Sequence, residues 1–279
     1  MAEASVRTRS WLFTPATRPE RFAKVKDAGA DVIIIDLEDA VAPKDKPAAR
    51  KTAIDYLSGA PAAGLLHTLR MNGLDTPAGI ADLDALLGAT AAPDFLLLPK
   101  TETAGHLQIL DRVLTAAGKA TRLIGLIESA QGLAAVEAIA TATPRVAGLM
   151  FGAADMAASL GTTTAWAPLV YARGKLVAAC ALAGVTAIDA PYFHIRDEAG
   201  MKQEAADAVA FGFGAKAAIH PSQVGPINAA LTPDEAAIAK ARAILAENAK
   251  GVGTVDGQMI DEAVARKARR TLAAAGLKT

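Results

Sequence analysis

Eight short runs of leucine and β-branched residues recur through the chain, separated by stretches of helical periodicity. They are SWLF from Ser10, DVIII from Asp31, LLHTL from Leu65, FLLL from Phe95, RLIGLI from Arg122, VAGLMF from Val146, VTAI from Val185 and AKAAI from Ala215. Between them, Arg18 to Ala28, Lys46 to Leu57, Thr103 to Ala117 and Asp197 to Phe211 carry apolar residues at the spacing that gives a helix one buried face. A strand–helix unit repeated about every 30 residues builds a parallel sheet, because parallel neighbours need a long crossover. Eight units predict a closed (β/α)8 TIM barrel.

The open-sheet alternative is weaker. A dinucleotide-binding sheet carries GxGxxG after its first strand, whereas the first run here leads into Thr14-Pro15-Ala16-Thr17. GFGAK from Gly212 and GVGTVDG from Gly251 lack the spacing of a phosphate-binding loop and read as turns. The barrel domain is expected over 1–232. A C-terminal helical extension is expected over 233–279, with a helix from Pro233 to Lys250, a glycine-broken turn and a last helix beginning near Asp261.

Composition narrows the function classes. The chain has 279 residues, the size of one such barrel, and its 4% aromatic content leaves the core to Ala, Leu, Ile and Val. Lys plus Arg equals Asp plus Glu, 29 against 29, so bulk charge points to neither nucleic acid nor an anionic membrane. The longest nearly uncharged stretch, Leu176 to Ile188, is too short to span a bilayer, and MAEASVRTRS has no apolar signal core. A single cysteine, Cys180, excludes intrachain disulfides and cysteine-based metal sites within one chain. A cytoplasmic setting is expected.

Barrel enzymes place their chemistry after the C-terminal ends of the strands. Those positions are polar here: Asp36, Glu38 and Asp39 after the second run, Arg70 and Asn72 after the third, Lys100 and Glu102 after the fourth. Glu128, Asp155, Asp189 and His220 follow the fifth to eighth. An acidic residue after a strand can simply cap the next helix. Glu128 and Asp155 together fit that explanation poorly, since two carboxylates at one mouth repel unless a cation or proton lies between them. Oxygen ligands without His or Cys select Mg2+, which keeps water positions that a chelating substrate can displace. Arg70 suits a substrate carboxylate through paired hydrogen bonds, and an ion pair with Asp36 or Glu38 is compatible with that role. Lys100 is open between an anion contact and a solvated ion pair. His220, before Pro221, is open between structure and proton transfer, and Cys180 reads as core.

At these residues the chain resembles the beta-subunit-like citrate lyases of the HpcH/HpaI aldolase superfamily, alongside malyl-CoA and citramalyl-CoA lyases. The likeness covers nearly the whole chain. It is carried by RSWLFTPATRPERFAKVKDAGADVIIIDLEDAVAPKDKPAAR, then LRMNG, LLLPKTE, GLIESAQGL, FGAADMAASLG, AIDAPY and KAAIHPSQV in family order. The resemblance implies Mg2+, or Mn2+, on Glu128 and Asp155, with Arg70 on a substrate carboxylate. It further implies Arg18 near coenzyme A phosphates, and Asp261, within GQMIDEA, as an acid/base over a neighbouring subunit of a homotrimer or hexamer. Glu38 and Asp39 would hold metal-bound waters or Arg70 in place. Pro15-Ala16, Ala154 and Glu262-Ala263 depart from the residues usual in the family.

The expected reaction is carbon–carbon cleavage or formation, converting a 3-hydroxyacyl-CoA of malyl, citramalyl or citryl type to an acyl-CoA and a 2-oxo acid. A malyl-CoA-type thioesterase, a CoA-independent hydroxy-oxo-acid aldolase and a non-catalytic oxo-acid-binding subunit are the alternatives.

Overall fold

A computed structural model describes residues 7–59, 64–251 and 253–277. The first six residues, part of the segment expected to lack a signal core, lie outside them. Eight strands form a closed parallel barrel in chain order: β1 (Ser10–Pro15), β2 (Val32–Asp36), β3 (Leu66–Arg70), β4 (Phe95–Leu98), β5 (Arg122–Ile127), β6 (Val146–Phe151), β7 (Thr186–Asp189) and β8 (Ala215–Ala218). β8 closes onto β1 through Ser10↔Lys216 and Leu12↔Ala218. The (β/α)8 TIM barrel expected from the eight runs is the observed fold.

The helices begin where local chemistry starts them. Thr76 caps Pro77–Gly88 by accepting from Gly79 N, with Pro77 at the first position, where its missing N–H costs nothing. Ser129 caps Ala130–Ala134 and Asp197 caps Glu198–Phe211 in the same way. Since Ser129 performs this service after β5, Glu128 is left free of it. After β6 the cap position is Gly152 with no side-chain cap, so Asp155, in the first turn of Ala153–Leu160, is not a cap either.

The barrel interior is filled by Trp11, Ile34, Phe95, Leu97, Leu126, Met150 and Ile188 with their neighbours, all nearly inaccessible to water. Burying each large side chain contributes roughly 1.5–3 kcal/mol relative to leaving it exposed. β-strand parity then fixes which strand-end residues share that interior. Asp36 follows Ile34 and Glu128 follows Leu126 by two residues, and Arg70 follows Leu66 by four, so all three stand above the core at the mouth. A register shift between β5 and β6 beside Ala147 lets both Ala147 and Met150 join the interior.

The barrel belongs to a compact unit, Thr8–Ile227, and a second unit begins at Asn228. The second unit carries helices Glu235–Asn248 and Glu262–Ala274, capped by Asp234 and Asp261. The glycine-rich segment from Gly251, expected as a plain turn, is instead largely a hairpin. Its strands, β9 (Gly253–Val255) and β10 (Gln258–Ile260), are antiparallel around Asp256 and Gly257, whose φ values are 53° and 74°. Asp-Gly tolerates this left-handed pair, which matches the twist of a two-residue hairpin. Ala241, Ile244, Ile260, Ala268 and Leu272 form this unit's own apolar core. Among the described residues, no helix is long and apolar enough to cross a membrane.

Candidate active site

Arg70 ends β3 directly opposite Asp36, its register partner at the end of β2. Its Nε and Nη2 donate to the two Asp36 oxygens at 2.7 and 2.6 Å, while Nη1 lies 2.8 Å from Glu38 Oε2. Phe13 stacks against the guanidinium, 4.8 Å from the ring centre. Burial works against the Arg70 charge, but Asp36 and then Glu38 and Glu128 outweigh it and raise its pKa. At most three of the five guanidinium N–H groups are engaged, which leaves donors unused on a residue that lines the mouth.

The loop carrying Glu38 is stapled from behind. The Lys46 ammonium donates to the carbonyls of Leu37 and Glu38 and to Asn72 Oδ1. Asn72 in turn donates through its side chain to Leu37 O and through main and side chain to Asp82, which Arg50 pairs at 2.6 Å. Lys46, Arg50 and Asp82 were not singled out in the sequence. They lie on helices, and only the fold brings them beneath the β2 and β3 loops.

Glu128 stands just past β5 and is buried. Its Oε1 accepts the Lys100 N–H at 2.7 Å. Burial first, then the charges of Glu38 and Asp155, push its carboxyl up to about 8 against the pull of that hydrogen bond and of Arg70. Gly152 is the residue that makes room for it: a Cβ there would meet Glu128 Cβ at 2.5 Å and Oε2 at 2.7 Å. Asp155 is exposed one turn into the following helix.

Glu128, Asp155, Arg70, Asp36 and Asp39 line one cavity of about 350 Å3. Much of the remaining lining is apolar, with Phe13, Leu126, Met150, Phe193 and Ile219. Asp39 is exposed to the cavity, whereas Glu38 is buried behind Arg70 and pairs with Lys100 at 2.6 Å. The residues fit a hard divalent cation. A buried carboxylate with a raised pKa beside a second acidic group is a site short of positive charge, and all its donors are oxygens. Among the described residues no three His, Cys, Asp or Glu side chains converge as a ligand set.

A second cavity of about 450 Å3 shares Phe13, Pro15 and Ile219 with the first and is rimmed by Arg21, Lys24 and His220. Arg18 lines neither cavity. It is exposed and 3.9 Å from Glu20. Arg21 and Lys24, rather than Arg18, are the cations that the turn after β1 brings to this groove.

Several other polar residues have defined partners. Asp189 ends β7 but faces away from the interior, where Arg173 and Lys216 pair with it. Arg173 is itself sandwiched between Phe151 and Trp166 at 4.8 and 4.3 Å. His220 caps Pro221–Gln223, its Nδ1 accepting from Ser222 N, with Gln223 reaching back. Cys180 is buried, and burial pushes its thiol up to about 12, so it is inert. Asp261, in the second unit, is exposed and accepts from Val264 N at 2.9 Å through one oxygen.

Comparison with known proteins gives the family. Residues 9–221 match the family described as HpcH/HpaI aldolase/citrate lyase. The chain belongs to that family of aldolases and lyases. It is 37% identical to an L-malyl-CoA/beta-methylmalyl-CoA lyase of Rhodobacter capsulatus, over 93% of this chain and 92% of the relative. It is also 37% identical to a citrate lyase subunit beta-like protein of Mycobacterium tuberculosis, over 96% of each. Among solved structures, CitE from M. tuberculosis in complex with magnesium, acetoacetate and coenzyme A superposes with a TM-score of 0.83 at 36% identity, covering 97% of this chain and 98% of that one. RipC from Yersinia pestis superposes with a TM-score of 0.74 at 55% identity, covering 84% and 99%.

Proposed function

We propose that this protein is a Mg2+-dependent lyase that interconverts a 3-hydroxyacyl-CoA of malyl, citramalyl or citryl type with an acyl-CoA and a 2-oxo acid. The observation that carries this reading is the single cavity in which an arginine with free donors faces a buried carboxylate short of positive charge. The CitE neighbour bound to magnesium, acetoacetate and coenzyme A supports it.

In this reading Glu128 and Asp155 hold the cation, and Arg70 takes the oxo-acid carboxylate through its unused N–H groups. Bound Mg2+ supplies Lewis-acid polarisation of the substrate carbonyl and charge compensation at the oxygen that becomes negative. Asp36 keeps the guanidinium in one orientation, so little freedom is lost on binding. Asp39 orients water at the cavity rim, and Glu38 holds Arg70 from behind. The acyl-CoA lies along the groove rimmed by Arg21, Lys24 and His220, which shares Phe13, Pro15 and Ile219 with the mouth and offers cations to phosphate. Asp261 of a neighbouring copy in a homo-oligomer moves the proton at the thioester α-carbon. Its exposed carboxylate, with one oxygen engaged in capping, suits that task.

The test is mass spectrometry of purified protein with Mg2+ and malyl-, citramalyl- and methylmalyl-CoA, with Asp155→Ala as control. An acyl-CoA plus an oxo acid, lost in the variant, is expected. Free CoA with an intact hydroxy acid would make the protein a thioesterase, and no turnover across the panel would return the CoA-independent aldolase or the binding subunit to the front.

A further inference from the structure

Lys100 is one of two non-glycine residues with positive φ among those described, at 49°, and the other, Asp256, sits in the hairpin turn. A side-chain-bearing residue persists in this region only where its surroundings fix it. Both ends of Lys100 are held. Its N–H donates to Glu128 Oε1 at 2.7 Å, and its ammonium, half exposed at the rim, donates to Glu38 Oε1 at 2.6 Å. The other Glu38 oxygen is buried and has no hydrogen-bond partner of good geometry, only the ion contact to Arg70 Nη1 at 2.8 Å. One residue thus bridges the carboxylate on the cation side of the mouth and the arginine on the oxo-acid side.

Charge shows why such a bridge matters. Asp36, Asp39, Glu128, Asp155 and Arg70 line this mouth, and Glu38 and Lys100 adjoin it as partners of Arg70 and Glu128, so five carboxylates stand there against the cations Arg70 and Lys100. An oxo acid entering there is itself an anion. Lys100 is half of the fixed positive charge that offsets this imbalance, and it is placed by a main-chain conformation that also orders Glu128.

We propose that Lys100 is a positioning residue of the lyase site, holding Glu128 through its main chain and Glu38 through its ammonium so that an anionic oxo acid is admitted beside the paired carboxylates. The inference rests on the reading of Glu128 and Asp155 as the cation-holding pair and Arg70 as the carboxylate-binding residue. It carries a sign that a merely structural lysine lacks. Removing the ammonium makes the mouth one charge more negative, which favours a divalent cation and disfavours an anion.

Calorimetry of the purified protein tests this, first with Mg2+ alone and then with pyruvate at saturating Mg2+. For Lys100→Met, Mg2+ affinity is expected to hold or rise by up to several-fold while pyruvate affinity falls about tenfold, the size expected for losing one partly solvated charge contact. In turnover the KM for the oxo acid should rise more than kcat falls, and Lys100→Arg should restore most of the pyruvate affinity. The main-chain half is tested by Lys100→Gly against Lys100→Val. Glycine accepts positive φ and keeps the N–H on Glu128, whereas a β-branched residue resists it, so Mg2+ should bind more weakly to the valine variant. Parallel loss of both affinities in Lys100→Met, or no change in either, would overturn the ammonium's role, and equal Mg2+ binding by the glycine and valine variants would overturn that of the main chain. Absence of Mg2+ binding by the unaltered protein would instead bring down the site reading itself, and this inference with it.

Discussion

Asp36 and Arg70 are register partners at the ends of β2 and β3, and they close a two-bond fork of 2.7 and 2.6 Å inside the barrel mouth. The pair does two jobs at once. It neutralises a carboxylate that is only 2% exposed and fixes the plane of the guanidinium that faces the cavity.

Replacing Arg70 by Ala should therefore cost stability as well as turnover. It leaves Asp36 buried without its partner, a loss of about 3–5 kcal/mol. Arg70→Lys keeps the charge but not the fork, and is expected to retain most of the stability while kcat/KM falls about a hundredfold, a loss of about 2.7 kcal/mol in transition-state binding. Chemical denaturation and steady-state kinetics on the two variants separate the effects.

Glu128 sets a pH dependence. Its folded carboxyl lies at about 8 against an ordinary value of 4.5, so between those values the metal-free folded chain holds a proton that the unfolded chain has released. That contribution to stability is complete below pH 4.5 and is lost as pH rises through 8. The melting temperature of the metal-free protein should fall between about pH 4.5 and pH 8 and level off above, and the stabilisation given by added Mg2+ should grow over the same range because binding displaces the proton. A Mg2+ effect independent of pH would contradict this account.

Gly152→Ala places a methyl group 2.5 Å from Glu128 Cβ and 2.7 Å from its Oε2. The strand end or the carboxylate must move, and overpacking of this kind costs about 1–3 kcal/mol. Weaker Mg2+ binding in a folded protein, read by calorimetry and circular dichroism, is the expected pattern.

The outer ion cluster should behave in the opposite way. Asp189, Lys216 and Arg173 are all 1% exposed or less, and Lys216 also reaches Glu204 at 2.8 Å. Lys216→Met removes one partner of a buried network and should destabilise the fold by about 3–5 kcal/mol. Because the cluster faces away from the mouth, the kcat of the fraction that remains folded should be little altered. A large fall in kcat at full folding would tie the cluster to the chemistry.

Much of this was legible in the chain alone. The eight strands lie where the apolar runs place them, and Lys46–Leu57 spans the same residues in sequence and structure. Glu128 and Asp155, marked by following strands five and six, do line one cavity. The hairpin from Gly253 was read only as a turn, because strands of three residues carry too little pattern to stand out beside Asp256 and Gly257.

Order and spacing along the chain determined which residues end the strands, since each strand must be followed by a crossover helix. What each end residue faces was decided by the tertiary structure. Asp36 and Arg70 are register partners, and so are Asp189 at the end of β7 and Lys216 early in β8, yet the first pair stands in the mouth and the second is sealed outside the barrel. The strands of a parallel barrel are covered on both faces, so both faces are apolar and no alternation marks the inward one. Only closure of the barrel assigns that parity, and with it which carboxylates can meet a substrate.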